Sequence, residues 1–288
     1  MPLVPTLELL HAASARRTGL AAFNVILLET AEALVGAAEQ TGRPVVLQIS
    51  QNCVRYHGGL EPIARATLAL AEGSSAHVAV HLDHAEDPEL ARLAIDLGFG
   101  SVMFDGSRLD YDGNVEATVR VVEYAHAREV SVEAELGEIG GKDGAHAPGV
   151  RTDPDEARRF VTETGVDALA VAVGSSHAMT ERTAELDLDL VAQLRHAVHV
   201  PLVLHGSSGV ADETIEAAIA SGITKVNVST HLNRFFSEAV RASLDAEPDQ
   251  VDPRRYVRAG RAAVTAEAAR LITLFDVAAR AAGGAETR

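Results

Sequence analysis

The sequence predicts an α/β chain folded as a (β/α)8 TIM barrel, one domain over residues 1–288 with extra C-terminal helices. Eight short apolar runs rich in β-branched residues alternate with helical stretches. Their spacing of roughly 25–35 residues is that of a βα unit. The runs are nearly continuous rather than alternating, as parallel strands covered by helices require. With 288 residues, 47% hydrophobic and 23% charged, the chain can bury a large core, and barrels of about 250 residues form one domain. A doubly wound sheet is the alternative.

In chain order, the predicted strands are residues 20–25 (LAAFNV), 44–50 (PVVLQIS), 77–84 (HVAVHLDH) and 101–106 (SVMFDG). The second half supplies 131–137 (SVEAELG), 167–174 (DALAVAVG), 201–206 (PLVLHG) and 223–229 (ITKVNVS). Stretches 30–40 and 88–97 have helical spacing and run into Gly42 and Gly98, the residue type that usually ends a helix. Residues 137–153 (GEIGGKDGAHAPGVRTD) form the one long irregular stretch, after strand five. From about 246 onward the chain reads as extra helix, Ala-rich over 261–280, with residues 283–288 frayed.

Charge and cysteine content narrow the function. Lys and Arg total 25 against 41 Asp and Glu, a net charge of −16. That argues against a nucleic-acid partner and against docking to an anionic membrane. The single cysteine, Cys53, excludes an intramolecular disulfide and a cysteine-rich zinc module. The first ten residues lack a secretory pattern, and no apolar run approaches membrane-spanning length. A cytoplasmic enzyme is expected.

In a barrel, chemistry gathers at the C-terminal ends of the strands. Those ends carry Asn24, Gln48 with Ser50, Asp83 with His84, and Asp105. Strands five to eight add Glu133 with Glu135, His177 just past its strand, His205, and Asn227. One polar strand end is ordinary, and a lone histidine there is more often a hydrogen-bonded cap. Three histidines converging on one rim with several carboxylates reverse that balance, because such a ring is costly unless paired or metal-bound. Three neutral imidazoles with an open fourth position describe a catalytic Zn2+ site. His81 reads as a supporting or core histidine. The segments HGSSG (205–209) and NVST (227–230) follow strands seven and eight, where barrels often bind phosphate.

These residues carry a resemblance. HLDH (81–84), SVMFDGS (101–107), EAELGEIGG (133–141), VAVGSSH (171–177), HGSSG and KVNVS (225–229) occur in this order. Together they resemble the class II, metal-dependent fructose-bisphosphate aldolase family, especially its tagatose-bisphosphate branch, over about residues 1–280. The resemblance implies His84, His177 and His205 as Zn2+ ligands, with Glu135 an acidic residue at the metal. It implies Asp83 as the group that takes and returns the proton of the aldehyde oxygen. It places Gly206, Ser207, Ser208, Asn227, Val228, Ser229 and Thr230 around the phosphate, and Asn24 and Ser50 beside the substrate. Zinc would polarise the ketone of dihydroxyacetone phosphate, so no imine-forming lysine is needed. Of the two lysines, Lys142 and Lys225, Lys225 alone could support an imine mechanism. A second metal or a monovalent cation is left open. A phosphorylated sugar substrate and a homodimer or homotetramer are implied as well.

Three departures stand out. Ala178 replaces the glycine that usually follows the second zinc histidine and touches phosphate. The strand-five loop reads GGKDG (140–144), without the usual proton-shuttling glutamate, so Asp143 or Glu138 would stand in. Asn233 occupies the position of a basic residue for the distal phosphate, with Arg234, Arg254, Arg255 or Arg258 as substitutes. The leading expectation is a zinc-dependent aldolase that cleaves a ketose bisphosphate, of the fructose- or tagatose-1,6-bisphosphate type. The alternatives are a non-catalytic phosphosugar-binding relative and a metal-dependent barrel hydrolase. The hydrolase would normally place two histidines one residue apart at the end of strand one, and LAAFNV lacks them.

Overall fold

Eight parallel strands close into a barrel in sequence order, the last pairing with the first. The computed structural model describes residues 3–137, 150–177 and 179–276. The strands are β1 (Leu20–Asn24), β2 (Val45–Ser50), β3 (Val78–Ala85), β4 (Ser101–Phe104), β5 (Ser131–Leu136), β6 (Ala168–Val171), β7 (Leu202–Leu204) and β8 (Ile223–Val228). Among the described residues there are eleven helices. The first six are α1 (Thr6–Arg16), α2 (Leu28–Thr41), α3 (Gln51–His57), α4 (Glu61–Gly73), α5 (Pro88–Asp96) and α6 (Tyr111–His126). The others are α7 (Pro154–Thr164), α8 (Leu188–Ala197), α9 (Asp212–Ser221), α10 (Thr230–Ala246) and α11 (Pro253–Phe275). Every predicted strand is present, all but β3 shortened by one to four residues and β3 shifted by one at unchanged length, and the barrel replaces the doubly wound alternative.

The strand alternation sorts the interior by height. Leu20, Ala22, Val46, Ala79, Met103, Ala168, Ala170 and Val203 form an apolar cluster inside the barrel, separate from the helix-covered outer core. Leu9, Leu10 and Ala13 of α1 join that cluster, so α1 plugs the N-terminal end. Side chains two residues apart share a face. The same parity therefore turns Asn24, Gln48, Asp83, Asp105, Glu135 and Asn227 inward at the other end. Apolar filling at one end and polar filling at the other make a floor and an active rim.

Helix ends follow local chemistry. Gly42 ends α2 in the left-handed conformation. The tail helix begins at Pro253, earlier than its Ala-rich stretch suggests. Asp252 accepts a hydrogen bond from the Arg254 N–H, and proline suits the first turn. Val264, Ala268, Leu271, Ile272 and Phe275 bury one face of α11. The Phe275 carbonyl accepts the Gly19 N–H at 2.8 Å, tying the helix end to the start of β1. The tail beyond Asp276 lies outside the described residues.

α11 also carries a strongly perturbed acid. Glu267 is buried, which alone would raise its pKa, but Arg270 and His231 bond to it and lower it from 4.5 to about 2. A folded-state pKa below the unfolded one stabilises the native state above about pH 4.5, and that stability is lost as pH falls toward 2. Glu267→Gln should therefore cost on the order of 2 kcal/mol at pH 7, allowing for solvent around Arg270. Thermal melts of both proteins should converge as the pH approaches 2. A constant difference in melting temperature from pH 7 to pH 2 would contradict this.

Candidate active site

Consecutive residues of a regular strand face opposite sides, so Asp83 and His84 should not both reach one site. β3 solves this with an irregularity. Its register to β4 shifts between Leu82 and Ala85, and His84 has φ of 50°. A non-glycine residue with that backbone is strained by about 1–2 kcal/mol. The bulge swings His84 onto the rim beside Asp83, their closest nitrogen and oxygen 4.0 Å apart.

His177 arrives differently, six residues past the end of β6. Its loop is pinned against the β7 loop by the Ala184 N–H to Gly209 carbonyl bond at 2.9 Å. Gly206 makes this approach feasible. Its φ is 65°, and a Cβ there would lie 2.6–2.9 Å from the backbone of Ser176. His205 stands at the end of β7, fully buried.

The three rings surround a common point. Ring centroids lie 4.6 Å apart for His84 and His205, 4.9 Å for His84 and His177, and 5.7 Å for His177 and His205. One nitrogen from each falls within 4.8 Å of the others. Carboxylates orient two of these rings: His84 Nδ1 meets Asp105 Oδ2 at 2.9 Å, and His205 Nε2 meets Glu133 Oε1 at 2.9 Å. That leaves His84 Nε2 and His205 Nδ1 as the natural metal donors. Glu135, fully buried, groups with His84 and Asp105 in a second and more anionic set that shares one histidine, and its Oε2 also lies 3.6 Å from His205 Nδ1. Imidazole-rich and carboxylate-rich sets side by side suit a divalent transition metal.

Asp83 is fixed from both sides. Asn24 Nδ2 donates to its Oδ2 at 3.0 Å and Asn227 Nδ2 to its Oδ1 at 3.4 Å, while Gln48 Nε2 donates to Asn24 Oδ1 at 2.9 Å. Burial would raise the Asp83 pKa. The charges of His84, His205 and Lys225 and the Asn24 bond outweigh it, so the carboxyl titrates below its usual value.

Beneath the rim, Lys225 is fully buried and donates to Glu133 Oε2 at 2.7 Å. His81 lies 3.4 Å from Lys225 Nζ and 2.7 Å from Ser101 Oγ. Burial and the Lys225 charge push the His81 pKa well down, so the ring is neutral. Lys225 does not line the pocket, and its ammonium is committed to Glu133. It is no candidate for an imine.

Asn24, Gln48, Asp83, His84, Asp105 and His177 open onto a cavity of about 350 Å3, with His205 and Glu135 buried behind its wall. Its β7–β8 side presents Gly206, Ser208, Asn227, Ser229 and Thr230. The Ser229 side chain does not cap α10, and Ser208 Oγ takes the His231 N–H of its first turn; the dipole of the helix still favours an anion at this end. Ser207 and Val228, both expected at the phosphate, do not line the cavity, because Ser207 Oγ donates to the Asn227 carbonyl inside the barrel and Val228 is buried in the outer core. Asp143 and Ala178 lie outside the described residues, as does Glu138.

The opposite side of the cavity holds Ser50, Gln51, Arg55, Glu86 and Arg108. Ser50 Oγ accepts the Cys53 N–H at 3.2 Å, which leaves its own proton for the pocket. Glu86 lies between Arg55 (3.6 Å) and Arg108 (3.7 Å). Sequence reasoning missed both arginines because they sit beyond the strand ends, in α3 and the β4 loop, with no motif around them. The basic residues proposed from sequence are elsewhere. Arg234, Arg254 and Arg255 pair with Glu238, Asp252 and Glu247. Arg258 does not line the cavity either.

The family model for fructose-bisphosphate aldolase class-II matches residues 4–280. The chain belongs to the class II fructose-bisphosphate aldolase family. It is 40% identical over 270 residues to a fructose-bisphosphate aldolase of Geobacillus stearothermophilus, covering 92% of this chain and 94% of that one. It is 38% identical over 288 residues to the 6-phospho-5-dehydro-2-deoxy-D-gluconate aldolase of Shouchella clausii (strain KSM-K16), covering 99% and 98%. The crystal structure of the YdjI aldolase from Escherichia coli K12 superposes with a TM-score of 0.82 at 32% identity, covering 95% and 97%. As a class II aldolase the chain is a lyase acting on a phosphorylated sugar, in a family that is generally metal-dependent. Among its described residues no helix is long and apolar enough to cross a membrane.

Proposed function

We propose that this class II aldolase is a zinc enzyme that reversibly cleaves a ketose bisphosphate, or a ketose phosphate with another anionic end, to dihydroxyacetone phosphate and an aldehyde. The observation that carries the reading is the meeting of three imidazoles at the wall of a cavity that Asp83, His84, His177 and the start of α10 line. His84, His177 and His205 would hold Zn2+, with Asp105 orienting His84 through Nδ1 and Glu135 beside His205 Nδ1. The metal would supply a Lewis acid that draws off the negative charge developing on the ketone oxygen.

The residues of the chain do the rest. Gly206, Ser208, Ser229 and Thr230 bind the phosphate of the ketose, and Asn227 and Asn24 orient Asp83. In cleavage, Asp83 accepts the proton of the C4 hydroxyl as the C3–C4 bond breaks. The bonding electron pair stays with C3, which then takes a proton from the β5 loop. We assign that proton to Asp143, with Glu138 the alternative. At the far end, Arg55 and Arg108 receive the anionic group of the aldehyde half. A phosphate there corresponds to a bisphosphate substrate. A carboxylate there corresponds to the substrate named for the Shouchella clausii relative.

The test avoids choosing the aldehyde. Zinc-loaded protein is incubated with dihydroxyacetone phosphate in deuterated water, and C3 hydrogen exchange is followed by NMR with and without chelator. Exchange that chelator abolishes is expected. Absence of exchange in protein with zinc bound would overturn dihydroxyacetone phosphate as the product released at this site.

A further inference from the structure

The loops at the phosphate end of the cavity are tied together by a chain of ionic contacts outside the metal site. At its inner end the His231 N–H donates to Ser208 Oγ at 3.2 Å, joining the first turn of α10 to the β7 loop. Ser208 thereby accepts one bond and keeps its own proton for the cavity it lines. The His231 ring meets Glu267 Oε1 at 2.6 Å. Arg270 grips both oxygens of Glu267, at 2.8 and 2.6 Å, and reaches Asp212 at 2.6 Å. Asp212 also takes the Arg182 guanidinium, whose Nε donates to the Val210 carbonyl at 2.7 Å. Arg182 belongs to the β6 loop, Asp212 to the start of α9, and Glu267 and Arg270 to α11.

The charges alternate along this chain. A single exposed pair would contribute little, but a bidentate network with buried Glu267 at its centre restrains every segment it touches. Loops are by default the more mobile parts of a barrel. An anion site whose donors come from two loops binds well only when their spacing is already set.

We infer that Glu267, with Arg270, Asp212 and Arg182, is a positioning brace through which the C-terminal helix sets the geometry of the phosphate site. This rests on the phosphate-site reading above. The brace holds Ser208 and the α10 N-terminus at fixed separation and leaves the three histidines unaffected.

The test uses the full-length, zinc-loaded chain and two variants that cut the brace at opposite ends, Glu267→Gln and Asp212→Asn. Binding of dihydroxyacetone phosphate and of inorganic phosphate is measured by calorimetry well below each melting temperature, and zinc affinity by chelator competition. Both variants should bind the two phosphate compounds about tenfold more weakly, with zinc affinity unchanged. In the cleavage assay KM should rise while kcat holds. Unchanged phosphate affinity in either folded variant would overturn the brace. So would zinc and phosphate affinities falling together, the mark of general loosening. Should Glu267→Gln fail to fold, Asp212→Asn alone decides, since it leaves the α11 pair intact. Wild-type protein that binds neither compound would refute the phosphate-site reading itself, and the brace with it.

Discussion

Replacing His84 by alanine should abolish zinc retention and, with it, hydrogen exchange at C3 of dihydroxyacetone phosphate. His84 belongs to both candidate ligand sets, so neither set can compensate for its loss. A graded comparison sharpens the result. Glu133→Gln leaves all three imidazoles but weakens the acceptor that orients His205, and should reduce zinc affinity roughly 10–100-fold rather than eliminate it. His84→Gly separates function from folding. Glycine relaxes the 50° φ at this position, so the metal-free variant should melt no lower than metal-free wild type while binding no zinc. Metal analysis after dialysis checks the set, and full zinc content in His84→Ala would refute the ligand assignment.

Asp83→Asn should suppress carbon–carbon cleavage by about 10^2–10^4-fold, the usual worth of a positioned general base, while C3 exchange persists. The amide keeps the shape of the side chain but cannot take the C4 hydroxyl proton. Asp83→Ala should lose cleavage equally and stability as well, because Asn24 and Asn227 would lose the carboxylate to which both donate. Stopped cleavage assays beside NMR exchange give the two rates independently. Equal loss of both would mean that Asp83 acts through its neighbour His84 and not on the substrate.

Much of the candidate site was legible at strand ends. Asn24, Asp83 and Asn227 end apolar runs and line the cavity, and the end of a barrel strand is where a polar side chain meets it. The resemblance implied Ser207 at the phosphate, and its hydroxyl turns to the Asn227 carbonyl. Strand-end reasoning left Lys225 open as a site residue, whereas parity puts it on the inner face and height puts it one layer too deep to line the cavity. Arg55 and Arg108 were invisible to it, because loop and short-helix residues reach a cavity through chain reversals that no periodicity records.

The order of strands, the closed barrel and the floor-to-rim change of polarity follow from local patterns: apolar runs of strand length, side chains alternating in period two, and glycine or proline at helix ends. Those are short-range properties, and a chain states them residue by residue. The bulge that turns His84 beside Asp83, the close approach of Gly206 to Ser176 and the ionic chain from His231 to Arg182 are different in kind. Each depends on contacts between segments far apart in sequence, whose cost in strain or buried charge is met only when the barrel has closed around them.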